Sequence, residues 1–215
     1  MLEQAAIYQI NLDRRVDRWE QCLANHAAMG FADLGVQRVP AVLEKGFGAL
    51  GCTKSHVKCF SRFLTEDTRD YCMVLEDDFD FNITAGELDR QLRQVAEWGI
   101  DWDVLLLASS KINAFGTPHR ELGRVFESLT TAGYIVRRRY VPKLMNCFVE
   151  SLMSLERYRE HTPRELIITR FACDVLWQRL QHIDNWFILL PVVGGQRASY
   201  SEVEDRFVDY SNEPV

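Results

Sequence analysis

Four carboxylates lie within five positions of one short segment, "YCMVLEDDFDF", at residues 71–81. They are Glu76, Asp77, Asp78 and Asp80. Carboxylates this close repel one another, so either a raised pKa or a bound cation must relieve the repulsion. The preceding run from Tyr71 to Leu75 is continuously apolar, which predicts an interior strand. The acids therefore follow directly on a buried strand, at the point where that strand leaves the core.

Two generic structures compete with a catalytic site here. Such a cluster most often forms a solvent-exposed acidic turn, but the strand before this one is too apolar to lie at the surface. A calcium-binding loop is suggested by the D-x-D-x-N spacing of Asp78, Asp80 and Asn82. That loop needs glycine at its sixth position and glutamate at its twelfth, where this chain has Ile83 and Asp89.

The third interpretation is a metal ion held for catalysis. In an extended chain, alternation places Glu76, Asp78 and Asp80 on one side and Asp77 on the other. Two or three carboxylates with open coordination positions suit Mg²⁺ or Mn²⁺, whose ligand shell is then completed by phosphate oxygens.

A dinucleotide-binding unit is a competing hypothesis, because "GFGALG" at residues 46–51 matches G-x-G-x-x-G. A strand over 36–42, a helix over 53–65 and Glu76 as the ribose-binding acid would complete the unit of an NAD(P)-dependent oxidoreductase. Against it, the glycines do not follow the strand directly. The predicted helix cap, Thr53, also lies beyond the third glycine, so a pyrophosphate would not meet the helix end.

The overall composition is that of a globular protein. Its 215 residues are 47% hydrophobic, enough for one substantial core. The formal net charge of −6 argues against binding of nucleic acid or an anionic membrane, so an anionic ligand needs a local basic site. No run approaches the ~18 apolar residues of a membrane span, and the N-terminus lacks a signal-peptide pattern, from which we expect a cytoplasmic protein. The six cysteines show neither a disulfide framework nor zinc-type spacing, and we expect most of them in the core.

Strand and helix patterns alternate along the chain. Short apolar runs predict strands at 5–12, 36–42, 71–75, 102–108, 130–136 and 186–191. Helical stretches are predicted between them, and Thr53 is the expected cap of the second helix. The expected apolar face of the first helix is formed by Trp19, Cys22, Leu23, His26 and Ala27. This alternation implies an α/β layer fold with a mostly parallel or mixed central sheet, whose ligands bind at the carboxyl ends of the strands.

Five segments of the chain occur in the order seen in a known protein family. They are "YQINLDRRVDRW" (8–19), "GALGCTKSH" (48–56), "VLEDDFDF" (74–81), "TTAGYIVRRRYVPKL" (130–144) and "PVVGGQRASYSEVEDRFVDY" (191–210). Together they resemble glycosyltransferase family 25, which includes lipooligosaccharide and procollagen galactosyltransferases and relatives in large DNA viruses. The last segment is similar to the viral branch, and for a viral protein the expected location is the host cytoplasm. One departure is Glu202, where the family usually has aspartate.

The resemblance implies a GT-A fold and a transferase that moves a sugar from a nucleotide sugar to a glycan or glycoprotein acceptor, with a UDP-sugar as the expected donor. It also implies Mn²⁺, or Mg²⁺, held by a D-x-D-type motif against the donor's diphosphate. Two triplets fit that motif, Glu76-Asp77-Asp78 and Asp78-Phe79-Asp80. We assign Asp78 and Asp80 to the metal, and Glu76 and Asp77 to the donor's ribose or sugar.

Residues near the first two predicted strands are assigned to the nucleotide and its phosphates. They are Gln9, Asn11, Leu12, Arg14, Arg18, Val39, Lys54 and Ser55. Asn11 and Leu12 end the first strand, and the two arginines follow on the next turn, from which guanidinium groups can reach phosphates. A solvated helix face accounts for the arginines equally well. Lys54 and Ser55 begin the second predicted helix, whose free N–H groups can bind an anion. The arginines at 137–139 are expected to be a surface run.

Asp174 is the predicted general base. In the segment 168–180 an apolar helical stripe is formed by Cys173, Leu176, Trp177 and Leu180. Asp174 lies off this stripe near the helix start, where the positive end of the helix dipole favours a carboxylate. Stabilisation of that helix end would by itself be enough to explain an aspartate at this position. The resemblance implies a further role, because an aspartate in this setting lies on the acceptor side of GT-A enzymes that invert configuration, where it takes the proton of the acceptor hydroxyl.

We expect one domain over residues 1–215, with a nucleotide-binding half of about 1–110 and an acceptor-binding half of about 111–210. Two other hypotheses stay open beside the glycosyltransferase. One is the NAD(P)-dependent oxidoreductase. The other is a noncatalytic module that binds a nucleotide sugar without transferring it, which the departure at Glu202 leaves possible.

Overall fold

The computed structural model of the protein describes residues 1–201 and 206–208, so that Glu202 lies outside the described residues. In chain order the strands are β1 (Ala5–Asn11), β2 (Gln37–Pro40), β3 (Tyr71–Glu76), β4 (Phe79–Phe81), β5 (Val104–Leu106), β6 (Ser110–Gly116), β7 (Leu122–Leu129), β8 (Gly133–Arg137), β9 (Trp186–Leu189), β10 (Gly194–Gln196), β11 (Ser199–Ser201) and β12 (Arg206–Val208). The α-helices are α1 (Val16–Met29), α2 (Gly48–Glu66), α3 (Ala85–Glu97), α4 (Val141–Tyr158), α5 (Arg164–Phe171), α6 (Cys173–Leu176) and α7 (Gln178–Ile183). Within the described ranges, no helix has the length and apolar character needed to cross a membrane.

Eight of the strands form one mixed sheet in the order β2-β1-β3-β8-β5-β9-β7-β6. β1 is parallel to both β2 and β3, and β5 is parallel to β9. β8 runs antiparallel between β3 and β5, and β7 pairs antiparallel with both β6 and β9. The predicted α/β fold with a central sheet flanked by helices is confirmed. Of the mostly parallel or mixed sheets that were expected, the sheet is of the mixed kind, because β8 and the β6-β7 hairpin run against their neighbours.

Alternate residues of the central strands pack on opposite faces of the sheet. In β3, Cys72 and Val74 join the core formed with α2 and α4, whereas Met73 and Leu75 join the core formed with α3. All four side chains are fully buried, as the continuous apolar run predicted. Burial of a side chain the size of valine or methionine contributes roughly 1.5–3 kcal/mol. The carboxyl end of β3 is therefore held firmly in the middle of the sheet, which fixes the start of the acidic segment.

The second helix begins earlier than predicted. α2 starts at Gly48, and Thr53, the expected cap, lies inside it with Oγ1 donating to the Ala49 carbonyl oxygen at 2.9 Å. A Cβ at Gly51 would lie 2.4 Å from the Val42 carbonyl oxygen, so the close contact between this helix and the preceding loop requires glycine. Two of the glycines in the G-x-G-x-x-G segment thus belong to the helix itself.

The buried face of α1 differs from the predicted apolar face. Its buried residues are Arg18, Cys22 and His26, whereas Leu23, expected on the apolar face, is 48% exposed. Both sets have helical spacing. The buried face of α1 includes the charged side chain of Arg18 because Arg18 pairs with the Asp77 carboxylate, which is also largely buried.

Two segments differ from the predicted helices. The stretch between residues 108 and 130 forms the β6-β7 hairpin, because β7 has strand partners on both of its edges. The segment 168–180 is divided, since Ala172 takes an extended conformation between α5 and α6, and Trp177 separates α6 from α7. The predicted stripe still faces the core, where Cys173, Trp177 and Leu180 are buried.

The arginines at 137–139 are not simply a surface run. Arg138 Nε donates to the Arg69 carbonyl oxygen at 2.7 Å, and its Nη2 donates to the Asp67 carbonyl oxygen at 2.8 Å. The guanidinium also lies 4.0 Å from the centroid of the Phe63 ring. Arg138 therefore binds backbone groups at and just beyond the carboxyl end of α2, where a cation is favoured by the helix dipole.

Candidate active site

A cavity of about 330 Å³ opens at the carboxyl ends of β1 and β3. Its volume is within the range of small-molecule sites, and its position is the sheet edge at which α/β folds bind ligands. The end of β1, the loop between β2 and α2, the first turns of α2 and the turn after β3 form most of its wall. The lining residues are Ile10, Asn11, Leu12, Arg14, Arg18, Ala41, Val42, Leu43, Glu44, Lys45, Gly46, Gly48, Cys52, Ser55, His56, Glu76, Asp77, Asp78 and Arg164.

The acidic segment does not continue as one extended strand. β3 ends at Glu76, Asp77 and Asp78 form a turn, and β4 begins at Phe79. The predicted alternation of acidic side chains is therefore wrong, because the turn interrupts it. Three of the acids line the cavity, whereas Asp80 is not among the lining residues of the described chain.

Phe79 anchors this turn in the core. A Cβ at Gly133 would lie 2.6 Å from the Phe79 ring, and a Cβ at Gly194 would lie 2.2 Å from it. Both positions must therefore be glycine for the ring to fit. Gly194 belongs to β10, which pairs antiparallel with β4. Directly after β10, the Arg197 backbone N–H donates to the Asp78 carbonyl oxygen at 2.7 Å. The turn is thus held from both the sheet and the C-terminal segment.

Asp77 takes part in a buried ion pair. Its carboxylate accepts hydrogen bonds from Arg18 Nη1 and from Asn11 Nδ2, the latter at 2.7 Å. The side chains of Arg18 and Asp77 are only 9% and 11% exposed. The pair joins α1 to the turn after β3, and it explains why a charged residue lies on the buried face of α1.

Replacing Arg18 by alanine is expected to destabilise the fold by about 3–5 kcal/mol, because the Asp77 carboxylate would remain buried without its cation. Arg179→Ala is the control, since Arg179 pairs with Glu150 at the surface, where the two side chains are 47% and 54% exposed. We expect a much smaller change for the control. Urea unfolding of both variants measures the difference. Equal losses in free energy of unfolding would mean that the buried pair has no special structural role.

On the cavity wall, Asp78 lies close to two other carboxylates, those of Glu76 and Asp77. Its carboxylate accepts a long hydrogen bond from Gln196 Nε2, at 3.5 Å. Desolvation and the negative charges of Glu76 and Asp77 raise the pKa of Asp78 to about 7, against the opposing charge of Arg18. A bound cation beside Asp78 would relieve this repulsion.

Asp80 faces a different environment. Its carboxylate forms an ion pair with Arg197 Nη1, while Nη2 of the same guanidinium donates to the Asp77 carbonyl oxygen. Burial raises the pKa of Asp80, and the charge of Arg197 partly offsets that effect. Asp78 and Asp80, which we assigned together to a metal, are therefore not brought together on the cavity, because the pairing of β4 with β10 carries Asp80 to Arg197.

Glu76 lies in a network of polar side chains on the cavity wall. Its Oε1 is 3.2 Å from His56 Nε2 and 3.9 Å from Cys52 Sγ, and it accepts a hydrogen bond from the Thr131 hydroxyl. His56 Nδ1 is 2.8 Å from the Tyr134 hydroxyl. Burial disfavours the imidazolium, but hydrogen bonds with Cys52 and Glu76 outweigh it and raise the pKa of His56 to about 9. Burial is likewise outweighed at Glu76, whose pKa is lowered by His56, so the two side chains form an ion pair between the buried His56 and the partly buried Glu76.

The residues assigned to the nucleotide divide into two groups. Those that line the cavity are Asn11, Leu12, Arg14, Arg18 and Ser55. Gln9, Val39 and Lys54 do not line it in the described chain. Gln9 is buried and donates to the Glu76 carbonyl oxygen at 2.7 Å, Val39 packs in the core, and Lys54 pairs with two glutamates at 2.7 and 3.0 Å. For the residues that line the cavity, nucleotide binding stays a proposal. Gln9, Val39 and Lys54 contact other parts of the protein instead of the cavity.

Asp174 lies at the start of α6, near the helix end at which it was predicted. Its Oδ2 accepts a hydrogen bond from the Thr130 backbone N–H at 3.0 Å. Burial raises the pKa of Asp174, backbone N–H groups oppose the effect, and the negative charge of Glu76 adds to it. Asp174 is therefore electrostatically coupled to the acidic wall, although it is not among the residues that line the described cavity.

Sequence reasoning missed several residues that the fold brings to this site. Cys52 was expected in the core, but it is half-buried on the cavity wall while the other five cysteines are buried. Its spacing of four from His56 was the available signal, because that spacing puts two residues on one face of a helix. Lys45 and Arg164 add positive charge to the cavity wall, and Arg197 holds the acidic turn. Arg164 and Arg197 lie far from the acidic segment along the chain, and no local sequence pattern indicates that they belong to this site.

Family membership follows from the sequence match over this same region. The profile of "Glycosyltransferase family 25 (LPS biosynthesis protein)" matches residues 43–158, more than half of the chain. The chain belongs to glycosyltransferase family 25. The predicted family is thereby confirmed, and the protein is a glycosyltransferase. The matched range contains most of the loop between β2 and α2, all of α2 and the acidic turn.

Membership in glycosyltransferase family 25 removes the two alternatives. A noncatalytic module is set aside because the family consists of transferases. The oxidoreductase is wrong for a topological reason as well. In a dinucleotide-binding unit the two strands joined by the helix lie side by side, whereas here β2 and β3 lie on opposite sides of β1.

Several solved structures are similar to this chain at low sequence identity. One is mannose-1-phosphate geranyltransferase from Thermus thermophilus, with 10% identity, 86% of this chain and 73% of that chain covered, and a TM-score of 0.47. A protein from STIV has 10% identity, covers 98% and 95% of the two chains, and has a TM-score of 0.49. A glycosyltransferase involved in the glycosylation of the major capsid of PBCV-1 has 6% identity, coverage of 87% and 92%, and a TM-score of 0.42. No curated protein sequence matches the chain.

Proposed function

We propose that this glycosyltransferase moves a sugar from a nucleoside-diphosphate sugar, a UDP-sugar, to a hydroxyl of a glycan or glycoprotein acceptor. The proposal rests on the distribution of charged side chains along the cavity wall. Arg14, Lys45 and Arg164 lie on its wall together with the crowded carboxylate of Asp78. Cations on the wall match a diphosphate, and a carboxylate facing the same space matches the divalent cation that accompanies a diphosphate.

Asp78 fits the role of a hard-cation ligand best among the four acids. Asp77 is paired with Arg18, Asp80 with Arg197, and Glu76 with His56. Mn²⁺ or Mg²⁺ takes few protein carboxylates and fills the remaining positions with water and phosphate oxygens, so one principal ligand is sufficient. When bound, such a cation neutralises the negative charge that grows on the leaving nucleoside diphosphate.

The nucleotide is proposed to lie along the end of β1 and the start of α2. Asn11 ends β1 at the cavity and Leu12 follows it, and Gly48 begins α2 at the same cavity. The first N–H groups of a helix are free to bind an anion, and the positive end of the helix dipole favours negative charge there. This placement puts the donor in the half of the domain around residues 1–110, and leaves residues of about 111–210 for the acceptor.

Asp174 is proposed to accept the proton of the acceptor hydroxyl as that oxygen attacks the anomeric carbon. A general base works best with a pKa near the operating pH, and the burial of Asp174 shifts its pKa in the required direction. The Thr130 backbone N–H donates to Asp174 Oδ2 at 3.0 Å and holds the carboxylate in a defined orientation. The electrostatic coupling of Asp174 to Glu76 connects it to the cavity in which the donor is proposed to bind.

Thermal unfolding with ligands tests the proposal directly. UDP, GDP, CMP and NAD are each added with and without Mn²⁺, and UDP with Mn²⁺ is expected to give the largest rise in Tm. A ligand at 100 times its Kd stabilises the native state by about 2.7 kcal/mol, which is easily measured. Stabilisation by CMP or NAD without metal, and none by a nucleoside diphosphate, would overturn the donor assignment. A screen of UDP-sugars with product mass spectrometry then identifies the sugar.

A further inference from the structure

A second kind of metal ligand set lies on the cavity wall. Cys52, His56 and Glu76 each offer one ligand atom, and the three atoms lie within 4.8 Å of one another. Unlike Asp78, this set combines a thiol, an imidazole and a carboxylate. Such a combination is typical of zinc-class ions and is poorly suited to Mg²⁺ or Mn²⁺.

Two distances within the set lie close to the edge lengths of a tetrahedral site. His56 Nε2 and Glu76 Oε1 are 3.2 Å apart, and Cys52 Sγ and Glu76 Oε1 are 3.9 Å apart. Bond lengths of about 2.0 Å to nitrogen and oxygen and about 2.3 Å to sulfur correspond to tetrahedral edges of roughly 3.3–3.6 Å. An ion at the centre would draw the three atoms, which lie within 4.8 Å of one another, closer together, and its fourth position would face the cavity that all three residues line.

Neighbouring side chains already orient two of the ligands. The Tyr134 hydroxyl is 2.8 Å from His56 Nδ1, where it can accept the Nδ1–H and leave Nε2 for the ion. The Thr131 hydroxyl donates to the Glu76 carboxylate. Partners of this kind fix ring tautomer and ligand direction in known metal sites. His56 is only 1% exposed, so its direction is set by packing as well.

We propose that Cys52, His56 and Glu76 bind a zinc-class divalent ion at a site separate from the Asp78 site for the donor's cation. On binding, the proton on His56 Nε2 and the proton on Cys52 Sγ pass to solvent, and the ion replaces the positive charge of the imidazolium beside Glu76. The inference does not depend on which sugar is transferred or on the identity of the donor.

Co²⁺ and Zn²⁺ are the probes for this site, used with the full chain in the absence of nucleotide. Co²⁺ is expected to give a thiolate-to-metal absorption band in the near ultraviolet, and Zn²⁺ to abolish it by competition. Cys52→Ser should remove the band and weaken Zn²⁺ binding by at least ~10²-fold, measured against a chromophoric chelator. Cys147→Ser is the control, because that thiol is buried in the core away from the cavity, and it should bind as wild type does.

Two further variants test the metal site in case Cys52→Ser folds poorly. Glu76→Gln should weaken Zn²⁺ binding while leaving the thiolate band, whereas Asp78→Asn should leave Zn²⁺ binding unchanged. Absence of the thiolate band in wild type, or Zn²⁺ binding by Cys52→Ser equal to that of wild type, overturns the proposal. Mn²⁺-dependent UDP binding by Cys52→Ser, measured in parallel, shows separately whether the donor site is intact.

Discussion

Asp78→Ala is expected to abolish Mn²⁺-dependent binding of UDP while leaving the fold intact. The variant removes the carboxylate that we propose as the principal ligand of the cation, and a hard-cation site that loses its main carboxylate loses its affinity. It also removes the acid that is crowded by Glu76 and Asp77, so the metal-free variant should be at least as stable as wild type. Calorimetric titration of UDP with and without Mn²⁺ measures the first effect, and thermal unfolding of the metal-free protein measures the second.

Asp80→Ala is the matched control for this experiment. The two aspartates are two positions apart, but Asp80 pairs with Arg197 rather than lining the cavity. We expect the control to keep Mn²⁺-dependent UDP binding, with some loss of stability because the Arg197 side chain loses its partner. If Asp80→Ala loses UDP binding and Asp78→Ala keeps it, the D-x-D assignment read from the sequence was right at Asp80 and the present placement of the cation is wrong.

Asp174→Asn is expected to lower the rate of sugar transfer by ~10²-fold or more, the usual scale of a lost general base. The amide keeps an oxygen that can accept the Thr130 N–H, so α6 should form as in wild type. Donor affinity should be unchanged, because Asp174 does not line the described cavity in which the nucleotide is proposed to bind. Turnover with saturating donor and acceptor, measured beside calorimetric donor binding, separates the two quantities.

The result for Asp174→Asn also tests the stereochemical expectation. An inverting transferase needs a base for the acceptor hydroxyl, and near-normal turnover in this variant would take Asp174 out of the mechanism. A loss of donor binding equal to the loss of turnover would instead give Asp174 a structural role at the start of α6. Circular dichroism of the variant checks that the helical content is retained.

Much of the site could be predicted from local sequence alone. The apolar run before Glu76 predicted an interior strand, and the structure buries Cys72 through Leu75 completely. Motif order along the chain identified the family. The alternation of strands and helices predicted the α/β class, because periodicity and burial are properties of neighbouring residues. Asp174 was likewise placed at a helix start from the spacing of the apolar residues around it.

Local sequence did not predict which acid is best placed for a cation. Asp77 is paired with Arg18, 59 positions away, and Asp80 with Arg197, 117 positions away. Spacing within 76–80 left two acidic triplets open, and it predicted an alternation that the turn after β3 interrupts.

Local patterns and motif order are enough to predict a cluster of carboxylates at the end of a buried strand in a glycosyltransferase of family 25. The environment of each carboxylate depends on the folded chain. Charge compensation depends on distance in space, and the cations that pair with Asp77 and Asp80 come from α1 and from the segment after β10. Glu76 is compensated by His56 on α2, whereas burial and the negative charges of Glu76 and Asp77 raise the pKa of Asp78 to about 7.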